Sequence, residues 1–285
     1  MSIPSDPLVS TAWLAKHLDA PDVRVVDASW HMPAAQRDPG KEFLTVHIPG
    51  AVFFDIDDIS DETSDLPHMI PTPVKFASRV KKLGLGDGSR IVVYDSIGIL
   101  PAARAWWHFR AMGHEDVVVL DGGLPKWIAE GRPVEDGPAS PQERHFTPRY
   151  QADIYRSVEQ MRGIVETGRE QIIDARAAGR FEGKDPEPRA GLRGGHMPGA
   201  RNIPLSALLA PDATMLPGEQ LEAVFEKAGV DIDKPIVSTC GSGITASVVA
   251  LALARLGKPR SAVYDGSWTE WGGLADTPVV TGPAA

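Results

Sequence analysis

Short β-branched runs alternate with helix-like patterns along the whole chain. In the first half VRVVDA (23–28), SRIVVYD (89–95) and DVVVLDG (116–122) are near-continuous apolar stretches bounded by charged or turn residues, as in strands buried on both faces. Between the last two, ARAWWHFRAMG (103–113) repeats apolar residues at helical spacing. In the second half PIVST (235–239) reads as a strand and TASVVALALARLG (245–257) as a buried helix ending at Gly257 before Pro259. Ser157 and Gln160 have the spacing of a capping box at the start of another helix. Strands that alternate with helices predict an α/β fold with mostly parallel sheets and helices on both faces.

The second half also replays the first. VVDASW (25–30) returns as IIDARA (172–177), HIPGAVFFDI (47–56) as HMPGARNIPL (196–205), IVVYDSIGI (91–99) as IVSTCGSGI (236–244), and VVVLDGGLPKW (117–127) as SAVYDGSWTEW (261–271). The four offsets lie between 144 and 149 residues. Such a period is too long for a solenoid and suits a duplicated domain. Between the copies, residues 131–150 carry four prolines and two glycines, a composition that resists helix and sheet alike. The linker is placed at 136–149, dividing an N-terminal domain (1–135) from a C-terminal one (150–285).

Composition narrows the function classes. The net charge is -9, and the 29 Lys and Arg residues are scattered with no basic tract, which argues against nucleic acid as a partner. The first residues lack a basic segment followed by a long apolar run, and nowhere do about 18 apolar residues follow one another. Neither export nor membrane insertion is expected. The chain has one cysteine, Cys240, so an internal disulfide and a multi-cysteine metal site are excluded; a reducing, cytoplasmic setting is expected.

Cys240 is the chemically informative residue. It stands where the strand PIVST hands over to the helix 245–257, in the turn Cys240-Gly241-Ser242-Gly243-Ile244. Ligands of open α/β sheets bind beyond the carboxyl ends of strands, where a following helix directs free N–H groups and its positive dipole end at the loop. Gly241 and Gly243 let those amides converge, and such a setting favours a thiolate, the nucleophilic form. A buried cysteine is ordinarily a small inert hydrophobe; the glycine-rich turn is what argues otherwise here. A phosphatase loop needs an arginine six residues after the cysteine, where this chain has Ala246. A serine nucleophile elbow needs Gly-x-Ser-x-Gly, and Ser242 does not lie in one.

Across residues 8–280 the sequence resembles the two-domain rhodanese and 3-mercaptopyruvate sulfurtransferase family. The matching pieces are DASW, HIPGAVFFDI, HMIP, RAWW, LDGGL, DARAAGRF, PEPR, GHMPGA, CGSGIT and YDGSWTEWG. The resemblance implies two tandem rhodanese-like domains. The C-terminal one carries the catalytic Cys240, and the N-terminal one is a silent copy with Asp95 in the cysteine's place. It also implies persulfide chemistry with no metal or organic cofactor, a small-molecule sulfur donor, and a thiol, thioredoxin-like protein or cyanide as acceptor.

The form CGSGIT, with uncharged Gly241 and Ser242, resembles the mercaptopyruvate branch. Thiosulfate-preferring members place basic side chains directly after the cysteine. Arg180 and Arg189 match family positions that hold substrate, and a planar guanidinium suits the carboxylate and ketone of 3-mercaptopyruvate. The loop residues Gly241, Ser242, Gly243, Ile244 and Thr245 are expected to hold the persulfide. The resemblance further suggests a proton relay of Asp38, His47 and Ser242, although His47 and His196 occupy equivalent places in HIPGA and HMPGA, which argues that at least one of them serves the turn before a strand and makes structure the default. Thiosulfate sulfur transfer and a non-catalytic persulfide carrier are the alternatives.

Two other features are read as structural. The acidic run DIDDISDE (55–62) lacks the ligand pattern of a calcium loop and is expected to be a solvated loop. Trp106 and Trp107 are expected to pack in the core or between domains.

Overall fold

The apolar runs pair edge to edge into two five-stranded parallel sheets. The computed structural model describes residues 6–284. In one sheet Leu8–Val9 (β1), Val23–Asp27 (β2), Val52–Phe53 (β3), Arg90–Tyr94 (β4) and Val117–Leu120 (β5) lie in the order β1-β5-β4-β2-β3. In the other, Tyr155–Arg156 (β6), Gln171–Asp174 (β7), Arg201–Asn202 (β8), Ile236–Thr239 (β9) and Ala262–Tyr264 (β10) lie in the order β6-β10-β9-β7-β8. The two orders are one order repeated, so the duplication seen in the sequence is a duplication of topology.

In each sheet, after the first edge strand, the chain steps outward from the strand next to the other edge (β2 or β7), returns to that strand's inner side, and continues away. β8 lies on one flank of β7 and β9 on the other, with β10 beyond β9. That reversal opens a crevice beyond the carboxyl ends of β7 and β9, the place where open parallel sheets bind ligands. Asp174 at the end of β7 is level with Thr239 at the end of β9, so Cys240 emerges directly into the crevice. Asp27 and Tyr94 end β2 and β4 at the same level, and Asp95 follows.

Two helices close off the chemistry from the rest of each unit. The helix Ile244–Arg255 is apolar all round and ten of its twelve residues are buried, so it is a core element and not a surface one. In the first half, Pro101–Ala111 plays that part, with Trp106 and Trp107 buried as expected. The capping box is present: Ser157 accepts from Gln160 N, and the Gln160 side chain accepts from Ser157 N. The acidic run expected as a loop instead begins with a helical turn, Ile56–Ile59, because Asp55 caps it by accepting from Asp57 N at 3.0 Å. Among the described residues no helix is long and apolar enough to cross a membrane.

The chain divides into two compact units that differ in detail from halves of the sequence. Unit 1 takes the described residues to Glu62, Ile70–Gln151 and Pro211–Met215; unit 2 takes Thr63–Met69, Ala152–Ala210 and the chain from Leu216 on. Residues 136–149, read as a linker, lie along unit 1. Their backbone bonds to it at Asp87 N to His145 O (2.9 Å), Arg144 N to Lys81 O (3.2 Å) and Arg149 N to Met112 O (2.8 Å). Phe146 is buried edge-on against Phe76, at 5.4 Å between ring centres. Gly86 is required there, since a side chain would run into the His145 carbonyl. Proline had removed the helix and strand signals from this segment without removing its aromatic anchor.

Asp27 is a buried carboxyl that accepts from Ser29, with Ser29 N at 2.8 Å, and from the Tyr94 hydroxyl. Burial raises it from 3.8 to about 6, against the hydrogen bonds of Ser29. A carboxyl raised on folding stabilises the fold below its unfolded value and loses that contribution as pH rises through its folded value. Wild type is therefore expected to lose about 3 kcal/mol relative to Asp27→Asn as the pH rises from about 4 to about 7, at about 1.4 kcal/mol per unit. Urea unfolding of both proteins across that range checks this; a pH-independent difference would mean that Asp27 is not the titrating group.

Candidate active site

The strand β9 is buried throughout and delivers Cys240, itself only 2% exposed, to the floor of the unit 2 crevice. Gly243 caps the following helix at a φ of 81°, a left-handed conformation that glycine adopts without steric cost. The peptides on both sides of the cysteine are then pinned by the turn after β10. Trp268 N donates to Cys240 O at 2.9 Å, and Thr269 donates to Gly241 O through its N–H at 2.9 Å and its hydroxyl at 2.7 Å. Cys240 N donates to Ser267 Oγ at 3.2 Å, and that hydroxyl donates onward to Tyr264 O at 2.8 Å.

Ser267 sits at a φ of 50°, which costs a residue with a Cβ roughly 1 kcal/mol or more. Its counterpart in unit 1 is Gly123, at a φ of 56°. Unit 2 thus holds a strained serine where unit 1 has an unstrained glycine, and the hydroxyl it gains faces the cysteine peptide.

Two guanidiniums converge over the loop. A Cβ built on Gly241 would lie 3.4 Å from Arg180 Nη2 and 3.8 Å from Arg189 Nη1. Arg180 comes from the short helix Ala178–Phe181 after β7, Arg189 from the connection beyond it. Arg189 is pushed below its usual value by burial; the Cys240 charge and Glu187 pull it up and Arg180 pushes it down. Ser242 and Ile244 are buried in the loop and first turn, and Thr245 is half-buried.

Behind the arginines lies a buried ionic chain that sequence reading had not found. Asp174 takes Arg176 at 2.6 and 3.1 Å, Arg176 reaches Glu187 Oε1 at 2.7 Å, and Glu187 Oε2 takes Arg180 Nη2 at 2.5 Å. The signal lay in comparing the copies: IIDARA has Arg176 where VVDASW has Ser29, just as YDGSW has Ser267 where LDGGL has Gly123.

In unit 1 an aspartate stands in the same loop in the place of Cys240. Asp95 is wholly buried, and its carboxylate accepts from Ile97 N (2.9 Å), Gly98 N (2.7 Å), Leu100 N (2.7 Å) and Ala102 N (3.0 Å). Burial raises this carboxyl and the four amides oppose the rise. The cradle is filled by its own side chain. A cysteine sulfur has no second oxygen with which to span four amides, so the equivalent loop in unit 2 is suited to take a substrate group instead.

The structure gives Asp38 and His47 other partners within unit 1. Asp38 caps the helix Pro39–Thr45, accepting from Lys41 N at 3.1 Å and pairing with Lys41 Nζ at 2.9 Å. His47 Nδ1 bonds Phe43 O at 2.7 Å, its Nε2 bonds Glu135 Oε1 at 3.2 Å, and its ring stacks on Phe43. His196 repeats the arrangement with Phe181, stacked at 3.6 Å and bonded to its carbonyl. Both histidines hold a turn before a strand, and Asp38 and His47 are not joined as the relay requires. Among the described residues no group of three His, Cys, Asp or Glu side chains could hold a metal ion.

The family described as "Rhodanese-like domain" matches residues 10–130 and 157–274. The 3-mercaptopyruvate sulfurtransferase of Escherichia coli (strain K12) is 43% identical over 272 residues, covering 95% of this chain and 96% of that protein. The thiosulfate sulfurtransferase of Bos taurus is 42% identical over 271 residues, covering 93% and 91%. The crystal structure of SseA from Escherichia coli, described as a 3-mercaptopyruvate sulfotransferase of "rhodanese" fold, superposes with a TM-score of 0.85 at 40% identity, covering 92% of this chain and 99% of that one. A double domain match, relatives aligned over nearly their whole length, and one cysteine at the strand-to-helix turn of the second copy together make this chain a two-domain member of the rhodanese-like family.

Proposed function

We propose that this protein is a sulfurtransferase that takes the thiol sulfur of 3-mercaptopyruvate onto Cys240 as a persulfide and passes that outer sulfur to a thiol, releasing pyruvate. The observation that carries the reading is the convergence of Arg180 and Arg189 over the side-chain-free Gly241, beside the buried Cys240. Two planar guanidiniums at one point suit a donor with a carboxylate next to a ketone. The relatives named for mercaptopyruvate and the uncharged loop support the same donor.

In the first half-reaction the Cys240 thiolate attacks the donor sulfur, and a sulfur–sulfur bond forms as the sulfur–carbon bond breaks. The bonding electron pair leaves with the carbon as the pyruvate enolate, which takes up a proton to give pyruvate. Arginines and loop amides act on the charge that develops on the carbonyl oxygen. In the second, a thiolate attacks the outer sulfur of the Cys240 persulfide, leaving Cys240 as thiolate and the acceptor as persulfide. With one cysteine in the chain, the attacking thiol comes from outside, from a small thiol or a thioredoxin-like protein in a reducing compartment such as the cytoplasm. A thiosulfate donor is the second reading, favoured by the bovine relative's name at nearly equal identity.

Pyruvate release from 3-mercaptopyruvate, measured beside sulfite release from thiosulfate with a thiol present, tests this. Wild type is expected to favour pyruvate release by at least about tenfold in kcat/KM, and Cys240→Ser to lose about a thousandfold or more. Dominant sulfite release would overturn the donor, and a persulfide on Cys240 without turnover of either donor would make the protein a carrier. Asp95→Ala is expected to lower the melting temperature, at a cost of about 2–4 kcal/mol for several orphaned amides, while kcat/KM per folded enzyme stays within about threefold. A large activity loss in folded Asp95→Ala would show that unit 1 takes part in the chemistry.

A further inference from the structure

β2 and β7 occupy the same place in the two sheets, and each ends in a buried aspartate, Asp27 and Asp174. Two residues later unit 1 has Ser29 and unit 2 has Arg176. Unit 1 builds the same five-stranded sheet with a serine there, so the fold itself does not require the arginine. A buried guanidinium is costly unless fully paired. Here each of its three nitrogens has an acceptor: Asp174 takes Nε and Nη2, Gly195 O accepts from Nη2 at 2.8 Å, Glu187 accepts from Nη1 at 2.7 Å, and the Trp268 ring lies 4.1 Å from its centre.

Glu187 is as buried as Arg176, with a side chain 2% exposed, and its second oxygen is committed to Arg180. Arg180 is the one member of the chain whose side chain is substantially open, at 25%. Its Nε is buried without a hydrogen-bond partner among the described residues. Its Nη2 is the nitrogen nearest to where a Gly241 side chain would stand.

We propose that Glu187 is a positioning residue for the sulfur-transfer reaction. Tied through Arg176 to Asp174 at the end of a rigid strand, it fixes the Arg180 guanidinium over the Cys240 loop before the donor arrives. This rests on the reading that Arg180 grips the donor's carboxylate and ketone. An arginine is a long, mobile side chain, and holding it in advance removes an ordering cost from donor binding. Glutamate alone fits the role. Glutamine offers one acceptor oxygen and turns an NH2 group toward the other guanidinium, while aspartate is a methylene too short to span both.

The test is steady-state kinetics on Glu187→Gln, Glu187→Asp, Arg180→Gln and the Glu187→Gln/Arg180→Gln double variant. It is joined by single-turnover discharge of a polysulfide-loaded Cys240 persulfide to dithiothreitol and by a thermal melt. Glu187→Gln and Glu187→Asp are expected to raise KM for 3-mercaptopyruvate about tenfold, with discharge within about twofold of wild type, because the acceptor step does not use the donor's carboxylate. In the Arg180→Gln background, Glu187→Gln is expected to add less than about twofold, as for residues acting through one another. A raised KM in Arg180→Gln with an unchanged or lowered KM in folded Glu187→Gln overturns the positioning role alone, as does a fully additive double variant. An unchanged KM in Arg180→Gln removes the donor-gripping role and this proposal with it. Should Glu187→Gln not fold, Glu187→Asp, which keeps the charge, decides by the same comparison.

Discussion

Where a parallel strand gives way to a helix, several backbone N–H groups point at one small volume, and something must accept from them. Each unit of this protein is arranged around that requirement. Unit 1 meets it internally: the Asp95 carboxylate takes four amides and is sealed from solvent. In unit 2 a cysteine stands in that place, and the loop is held from its other side, Trp268 and Thr269 donating to Cys240 O and Gly241 O while Ser267 accepts from Cys240 N. One loop is complete as folded, and the other is held in shape for a group that comes and goes.

The same contrast runs through the charges. Buried ion pairs contribute little net stability, because desolvation consumes most of the Coulomb gain. Asp27, with serine in place of arginine, accepts a raised carboxyl as the consequence of burial. Asp174 instead sits in a chain of two carboxylates and two guanidiniums, an expensive construction for a strand end that the other unit forms without it. The expense falls in the unit that carries Cys240. It provides rigidity at Arg180 that a solvent-facing side chain would lack.

Much of this was legible in the sequence, and the reasons differ by residue. The four repeated blocks marked a duplicated α/β domain, and the strand order, which spacing alone does not determine, turns out to be duplicated with it. Cys240, Arg180 and Arg189 were legible because a strand, a glycine-rich turn and a helix follow one another locally, or because they fall in recognisable motifs. Ser267 and Glu187 were not, because their roles lie in contacts with segments remote in sequence: Ser267 meets Cys240 across 27 residues, and Glu187 matters through Arg176 and Arg180. His47 stood between a structural role and a proton relay. A histidine in a motif suggests proton transfer, whereas its two nitrogens and its ring face are all engaged by Phe43 and Glu135. The run 136–149 was read by its prolines, and its Phe146 decided where it lies.

Gly241 connects the donor to the arginine pair. Any side chain at this position would begin 3.4 Å from Arg180 Nη2 and 3.8 Å from Arg189 Nη1, so a lysine or arginine there would press two like charges and their own bulk against it. A basic loop that meets a dianionic donor and a pair of remote arginines that meets a keto acid are therefore competing solutions for one volume. Choosing glycine commits the site to the arginines. On the proposed reading it also makes their placement the variable on which donor binding turns, which is how a buried carboxylate, Glu187, enters the functional description of the site.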